Sequence, residues 1–302
     1  MHLILGSPTD AFCLELLQAL AVEGHSAQVV SKLFEGPSIA RWRFDSDSSS
    51  SAVVLPDARE LSGAEIESVF IAHNSGLDVS NWNEQDGPYA YHEAQAALLG
   101  WLWSLPCPVV NRLPAQWWYY NSMPLAAWQP LLGRAGFTAG SLAISNIASA
   151  LRRFAGPTGA AVYSPLASSQ CYMVASESEW QGIEQLTTLA PVCLSRPHRQ
   201  PVHVCAVGSQ LFWNMAPPAE ACALECSVAR LRDLLKLDWL SVALARFGYT
   251  WHVVGVETLP QLCAFDAAAR AEIIHALVRR LTSQQTTCCS RRLGDSSMRR
   301  NS

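Results

Sequence analysis

The chain is 302 residues long, enough to bury one large core or two to three smaller ones. Half of its residues are hydrophobic and 15% are charged, and 21 basic against 25 acidic side chains give a net charge of −4, which excludes the basic footprint of a nucleic-acid binder. No run of about 18 apolar residues is present to span a membrane, and MHLILGSPTD lacks a signal peptide's basic start and apolar length, so the cytoplasm is the expected compartment.

Leu3–Gly6 reads as a strand, Ser7–Asp10 as a turn with Asp10 as N-cap, and Ala11–Val22 as a helix stopped by Gly24. Ala27–Ser31 is the next strand, and the single glycine of the first turn falls far short of a dinucleotide fingerprint. Ile39–Phe44 and Ala52–Leu55 form a hairpin around a Ser-rich turn, Val69–Ala72 is a strand, and residues 76–88 form a long polar loop. An amphipathic helix is predicted over Tyr89–Ser104, then a strand over Pro106–Asn111. Ser122–Ala135 is a helix closed by Gly136, with a kink expected at Pro130. Ser141–Ile144 is a strand, and Asn146 is expected to cap a helix running to Phe154. Strands follow at Gly159–Ser164 and Cys171–Ala175, then a helix at Glu177–Leu186 and strands at Val192–Ser195, Val202–Val207 and Gln210–Asn214. The helix Ala223–Leu235 leads into two closing strands, Leu240–Ala245 and Thr250–Val256, joined at Phe247-Gly248. A final helix is predicted over Asp266–Leu281, and the polar, Arg-bearing residues 283–302 lack periodicity and read as a disordered tail.

Ten cysteines show no CxxC pair and no zinc-type Cys/His spacing. Cys13, Cys107, Cys171, Cys193, Cys205 and Cys263 sit in apolar segments and are expected to pack as small hydrophobes. His203 and His252 fall on core strands and are candidates to pair in one cleft. Cys205 shares a strand face with His203, but a Cys–His nucleophile needs a third, orienting group and none is evident. The cluster Trp117-Trp118-Tyr119-Tyr120 reads either as interface packing or as a surface for a peptide or protein partner.

The order of these segments resembles ATP-grasp proteins related to glutathione synthetase, ribosomal-protein glutamate ligases and peptide-modifying ligases. SLPCPVVNRLPAQWW resembles the LPCPWVNPP segment that ends the pre-ATP-grasp domain, GAAVYSPL the strand VVYKPL, and QPVHVCAVGSQLFWN the strand pair DVRVTVVGDRVFA. LDWLSVALARFGYTWHVVGVE resembles LDFAGVDLLRDGDRYYVLEVN, and the whole match covers most of residues 1–282. The resemblance implies an α/β protein. A Rossmann-like pre-ATP-grasp domain (1–120) would be followed by a two-part ATP-grasp-like domain (121–282, split near 190).

In that family lysines hold the ATP phosphates, and acids with an asparagine hold magnesium. Here the positions matching a phosphate lysine carry Ser164 and, at the helix start, Asn121, Ser122 and Met123. Pro201 and His203 replace the central Asp-x-Arg, Ala243 the magnesium Asp, Gly255 the Glu, and Glu257 the Asn. Arg196, Arg199, His203 and Arg246 are the candidate phosphate contacts, and Glu257 is the candidate metal ligand. Charged hydrogen bonds contribute about 1.5–3 kcal/mol each, so losing two lysines and two acids forfeits about three decades of nucleotide affinity. The expectation is a degenerate, non-catalytic or altered relative of carboxylate–amine ligases that binds a peptide or protein partner and assigns no cofactor. The alternatives are an active peptide-modifying ligase using ATP and magnesium, and a structural subunit of a ligase complex, with homo-oligomers common in either case.

Overall fold

The computed structural model describes residues 1–31, 39–44, 49–55, 57–72, 83–119, 123–138, 142–166, 171–198 and 200–283. The chain begins β1 (His2–Leu5), α1 (Ala11–Val22), β2 (Ala27–Val30), β3 (Ile39–Phe44), β4 (Ser49–Val54), β5 (Glu60–Ser62), β6 (Ser68–Ile71), α2 (Asp86–Ser104), β7 (Val109–Val110) and α3 (Ala115–Tyr119). It continues through α4 (Leu125–Ala135), β8 (Leu142–Ser145), α5 (Ala148–Ala155), β9 (Ala161–Tyr163), β10 (Tyr172–Val174), α6 (Glu177–Thr187) and β11 (Val192–Ser195). The last elements are β12 (Val202–Val207), β13 (Gln210–Trp213), α7 (Ala221–Leu235), β14 (Trp239–Phe247), β15 (Thr250–Glu257) and α8 (Ala267–Thr282).

Four sheets result. β2-β1-β6-β7 is parallel, and β1 and β6 are buried throughout and apolar after His2 and Ser68, because both faces are covered. β3-β4-β5 is an antiparallel meander inserted between β2 and β6. β10-β9-β11-β8 and β13-β12-β14-β15 are antiparallel. The mixed α/β class follows the sequence expectation, and the sheets change between Ser195 and Val202. No helix among the described residues is long and apolar enough to cross a membrane.

The termini of the helices have local causes. Asp10 accepts from Phe12 N–H at 3.1 Å, and Asp266 accepts from Ala269 N–H at 2.8 Å. Ser176 and Glu179 form a reciprocal capping box on α6. Gly136 closes α4 at φ +93, a conformation a side chain would strain. Two starts differ from expectation. α2 begins at Asp86 because the Asn83 carboxamide accepts from Gln85 and Asp86 N–H at 3.0 and 2.7 Å, within the stretch read as loop. α5 is capped by Ile147, not Asn146, and Ser145 Oγ takes the Ile147 N–H at 2.9 Å.

Two core layers join the parallel sheet to the β12–β15 sheet. One packs Leu3, Leu5, Val69 and Trp101 with Leu240, Val242 and Leu231; the other packs Ile4, Phe70 and Leu16 with Cys205, Trp239 and Leu277. In the second layer the Trp239 ring stacks on Phe12 at 5.5 Å and leans on Phe70 at 5.0 Å. Residues 142–195 instead surround their own core of Leu151, Ala161, Val174, Trp180, Ile183, Val192 and Leu194. Arg152 fastens this unit, pairing with Glu177 and Glu184 at 2.6 and 2.7 Å across the face of Trp180. Of the cysteines expected inside, Cys13, Cys107, Cys193 and Cys205 are buried, but Cys171 and Cys263 are exposed, since the first sits beside edge strand β10 and the second on the 3-10 turn Leu262–Ala264 before α8.

Candidate functional site

The register of the last sheet brings the substituted positions together. His203 on β12 lies opposite Ala243 on β14, and Ala243 lies opposite Gly255 on β15. Ser241 faces Glu257 one step further along the same face. An extra β15 residue between the Ala243 and Leu244 pairings restores His252 to that face, opposite Ala245. Alternation along the strands therefore lays His203, Ser241, Ala243, Gly255, His252 and Glu257 on one surface. The first chain crossing into the 142–195 unit leaves from beside this sheet, and the second returns to it at β12. Thr138 bridges His252, and Arg196 follows β11 shortly before His203.

The chemistry of this floor is nearly neutral. His203 is half-buried, its ring edge-on to Phe265 at 6.4 Å, and desolvation lowers its pKa, so the imidazole is uncharged near pH 7. His252 meets Phe247 edge-on at 5.3 Å. His203 and His252 are carried by β12 and β15, separated by β14, and do not meet as a pair. Cys205 is buried against Trp239 Nε1 at 3.2 Å, and burial pushes its thiol up to about 12, which removes it as a nucleophile. Glu257 is reached by solvent, yet crowding by protein raises its pKa, as expected of a carboxylate at the wall of a cleft. Its Oε2 accepts from Gln261 N–H at 3.1 Å. Among the described residues of this face Glu257 is the sole carboxylate. A Cβ built on Gly255 would meet only ordinary contact, 3.4 Å from Ala243 Cβ, so small residues here leave open room.

The other candidates are placed elsewhere. Arg246 lies on the opposite face from Ala243, by the alternation of β14, and pairs with Glu220 before α7 at 3.6 Å. That side also holds Trp251 Nε1, which donates to Glu220 at 3.3 Å. Arg246 therefore stands on the other side of the sheet from His203, Ala243 and Gly255. Arg196 is exposed, with its guanidinium 5.9 Å from the Phe154 ring, while Arg199 lies outside the described residues. Ser164 is buried, with its hydroxyl 3.4 Å from Cys171 Sγ. Met123 packs against the core, and Asn121 and Ser122 lie outside the described residues.

The aromatic cluster divides. Trp118 is buried and its Nε1 donates to Gln95 at 2.7 Å, so it is a fold residue and not a partner surface. Tyr119 is exposed near the His92 ring, the Trp117 side chain is not among those described, and Tyr120 lies outside the described residues.

Two features went unread in the sequence. Asn111 is completely buried: its Oδ1 accepts from Asp238 and Trp239 N–H at 2.9 and 2.7 Å, and its Nδ2 donates to Trp239 O and to Thr258 O. β15 ends opposite Ser241, so Trp239 has no β15 partner, and the Asn111 carboxamide serves as the missing peptide group. The Asn at the end of PCPVVN was the available signal. The second feature is an apolar groove of about 730 Å³ along β10 and α6, lined by Tyr163, Tyr172, Met173, Ile183 and Leu186, with Tyr172 and Met173 on an edge strand and about half exposed.

No protein-family model and no curated protein matches the chain. Solved structures do. A Chryseobacterium gregarium RiPP-associated ATP-grasp ligase, in complex with ADP and a leader and core peptide, superimposes with TM-score 0.71 at 12% identity, covering 93% of this chain and 96% of that one. The macrocyclase MdnC of Microcystis aeruginosa, bound with its precursor peptide MdnA, gives TM-score 0.73 at 13% identity, covering 93% and 98%. A RimK domain ATP-grasp protein of Sphaerobacter thermophilus gives TM-score 0.55 at 16% identity, covering 92% and 98%. At such identities the likeness is one of fold.

Proposed function

With the ATP-grasp fold as the starting point, we propose that this chain is a peptide-binding relative of the peptide-modifying ligases whose nucleotide cleft no longer assembles a magnesium–ATP site. The observation that carries the proposal is the line His203–Ala243–Gly255 across adjacent strands. Neutral or small side chains stand where the resemblance expects acids and a cation, and one carboxylate, Glu257, remains beside them. A magnesium ion takes six oxygen ligands and keeps some waters, so one carboxylate with a raised pKa is a poor holder. These residues do not fit the group.

The peptide half of the proposal draws on the neighbours solved with precursor peptides and on the groove beside β10. An extended segment can dock along a sheet edge such as that of β10 while alternate side chains enter the apolar groove. A second reading, an active ligase in which Glu257 and the phosphates share the ion, is favoured by the position of that carboxylate alone.

Calorimetric titration separates the two readings. The expected result is no heat with magnesium-ATP at millimolar concentration, together with saturable binding of a precursor-type peptide that Met173→Glu abolishes. Restoring acids in the Ala243→Asp/Gly255→Glu variant is expected to raise magnesium affinity, since the floor has room for them. Micromolar magnesium-ATP binding with turnover by the unaltered chain would overturn the proposal.

A further inference from the structure

Far from the cleft, where the strands of the parallel sheet begin, three side chains with metal-ligating atoms meet: His2 on β1, His25 in the turn after α1, and Glu67 just before β6. Backbone pairing brings them together. His2 N–H donates to Ser26 O and Glu67 N–H donates to Met1 O, each at 2.9 Å, so the start of β1 is held by both neighbouring segments. Gly24, at φ +83, makes the tight exit from α1 that carries His25 round to the same edge.

The decisive detail is the His2 ring, which is 2% exposed. Its Nδ1 is 2.7 Å from the buried Ser68 hydroxyl, which fixes the ring plane. Its Nε2 has no hydrogen-bond partner, although it lies 3.0 Å from Glu67 Oε2. A buried ring nitrogen and a carboxylate oxygen that face each other at ion-pair distance, without a hydrogen bond between them, present two lone pairs to a cation. The His25 ring stands edge-on to His2 at 5.2 Å, and one ligand atom from each of the three residues falls within 4.8 Å of the others.

We propose that His2, His25 and Glu67 bind a divalent transition metal of the zinc type. Two imidazoles and a carboxylate are a common donor set for zinc, with water completing a tetrahedron. Bonds of about 2.0–2.2 Å set tetrahedral ligand atoms about 3.3 Å apart, and the His2–Glu67 pair is already near that separation. The His25 nitrogen has the remaining approach to make, from a partly exposed turn. Ser68 acts as the outer partner that orients a ligating histidine, and the Met1 amino group engages Glu67 Oε1 at 2.9 Å, leaving Oε2 for the ion. Bound there, the metal ties β1, the α1–β2 turn and the entry to β6 into one knot.

The test uses the untagged full chain, stripped with chelator and titrated with zinc alone, with cobalt(II) as spectroscopic probe. One equivalent is expected to bind and raise the melting temperature, and the cobalt spectrum is expected to show d–d bands without thiolate charge transfer. His25→Gln and Glu67→Gln are each expected to weaken binding by at least about tenfold, and His25→Gln, on an open turn, should melt like the parent chain without metal. Three outcomes overturn the proposal. They are absence of binding, unchanged affinity in both variants, and a thiolate band assigning the ion to a cysteine.

Discussion

Replacing Asn111 with leucine tests how the N-terminal and C-terminal sheets are joined. The substitution keeps the volume and removes every polar contact of the side chain. It strands two N–H groups, of Asp238 and Trp239, and two carbonyls, of Trp239 and Thr258, in a region without solvent access to Asn111. Each buried group left unsatisfied costs about 1–3 kcal/mol, and carbonyls tolerate the loss better than N–H groups, so about 3–5 kcal/mol is expected in total. For a chain of this size each kcal/mol shifts the midpoint by roughly 2–4 °C, giving a fall of about 6–20 °C. Differential scanning calorimetry with a parallel urea titration reads both quantities. Asn111→Asp should fall in between, since a carboxylate accepts both N–H groups but repels both carbonyls. A drop below about 2 °C for Asn111→Leu, in the range of ordinary surface changes, would refute the bridging role assigned to this amide.

Two further predictions concern the cleft and the 142–195 unit. Burial raises the Glu257 pKa, so its folded form holds a proton more tightly than its unfolded form. Its contribution is therefore full below the ordinary carboxylate range and is lost as pH rises through the elevated folded value. Glu257→Gln should melt higher than the parent at about pH 7 and converge with it near about pH 4, as read by circular dichroism across a pH series. Equal melting differences at both pH values would contradict the crowding inferred at this carboxylate. Leu194 is fully buried in the separate core, and Leu194→Ala should cost about 2–5 kcal/mol there. Hydrogen exchange should then lose protection over residues 142–195 while α8 and β12 retain theirs; uniform loss would show one cooperative block instead of two.

Much of the architecture was legible because its signals are local. Asp10 and Asp266 announce helix starts, Gly136 a stop, and the alternation of β14 and β15 a hairpin. The start of α2 was missed because Asn83, whose side chain takes the N–H groups of Gln85 and Asp86, sits in a polar stretch that composition alone reads as loop. The helix α3 was missed because four successive aromatics suggested a surface cluster, whereas Trp118 turns inward to Gln95. Ala243 and Gly255 were read on the two closing strands, but their pairing was not, because an extra β15 residue between the Ala243 and Leu244 pairings shifts the register. Arg246 was read for its charge and not its parity: three residues beyond Ala243, its guanidinium falls on the other face of β14. The His2–His25–Glu67 meeting depends on parallel crossovers joining distant segments, and no local spacing encodes it.

The floor formed by β12, β14 and β15 is anchored in the two layers that hold the parallel sheet, while residues 142–195 rest on an interior of their own. The chain joins these two bodies near Thr138 and again after Arg196, and hinging at that pivot would let them close on a ligand like the arms of a caliper. A ligand gripping both arms gains affinity by setting their opening, so substitutions at the pivot should alter binding without touching any contact. Selection on such a molecule can retune its grip through a few connector residues while both arms stay intact.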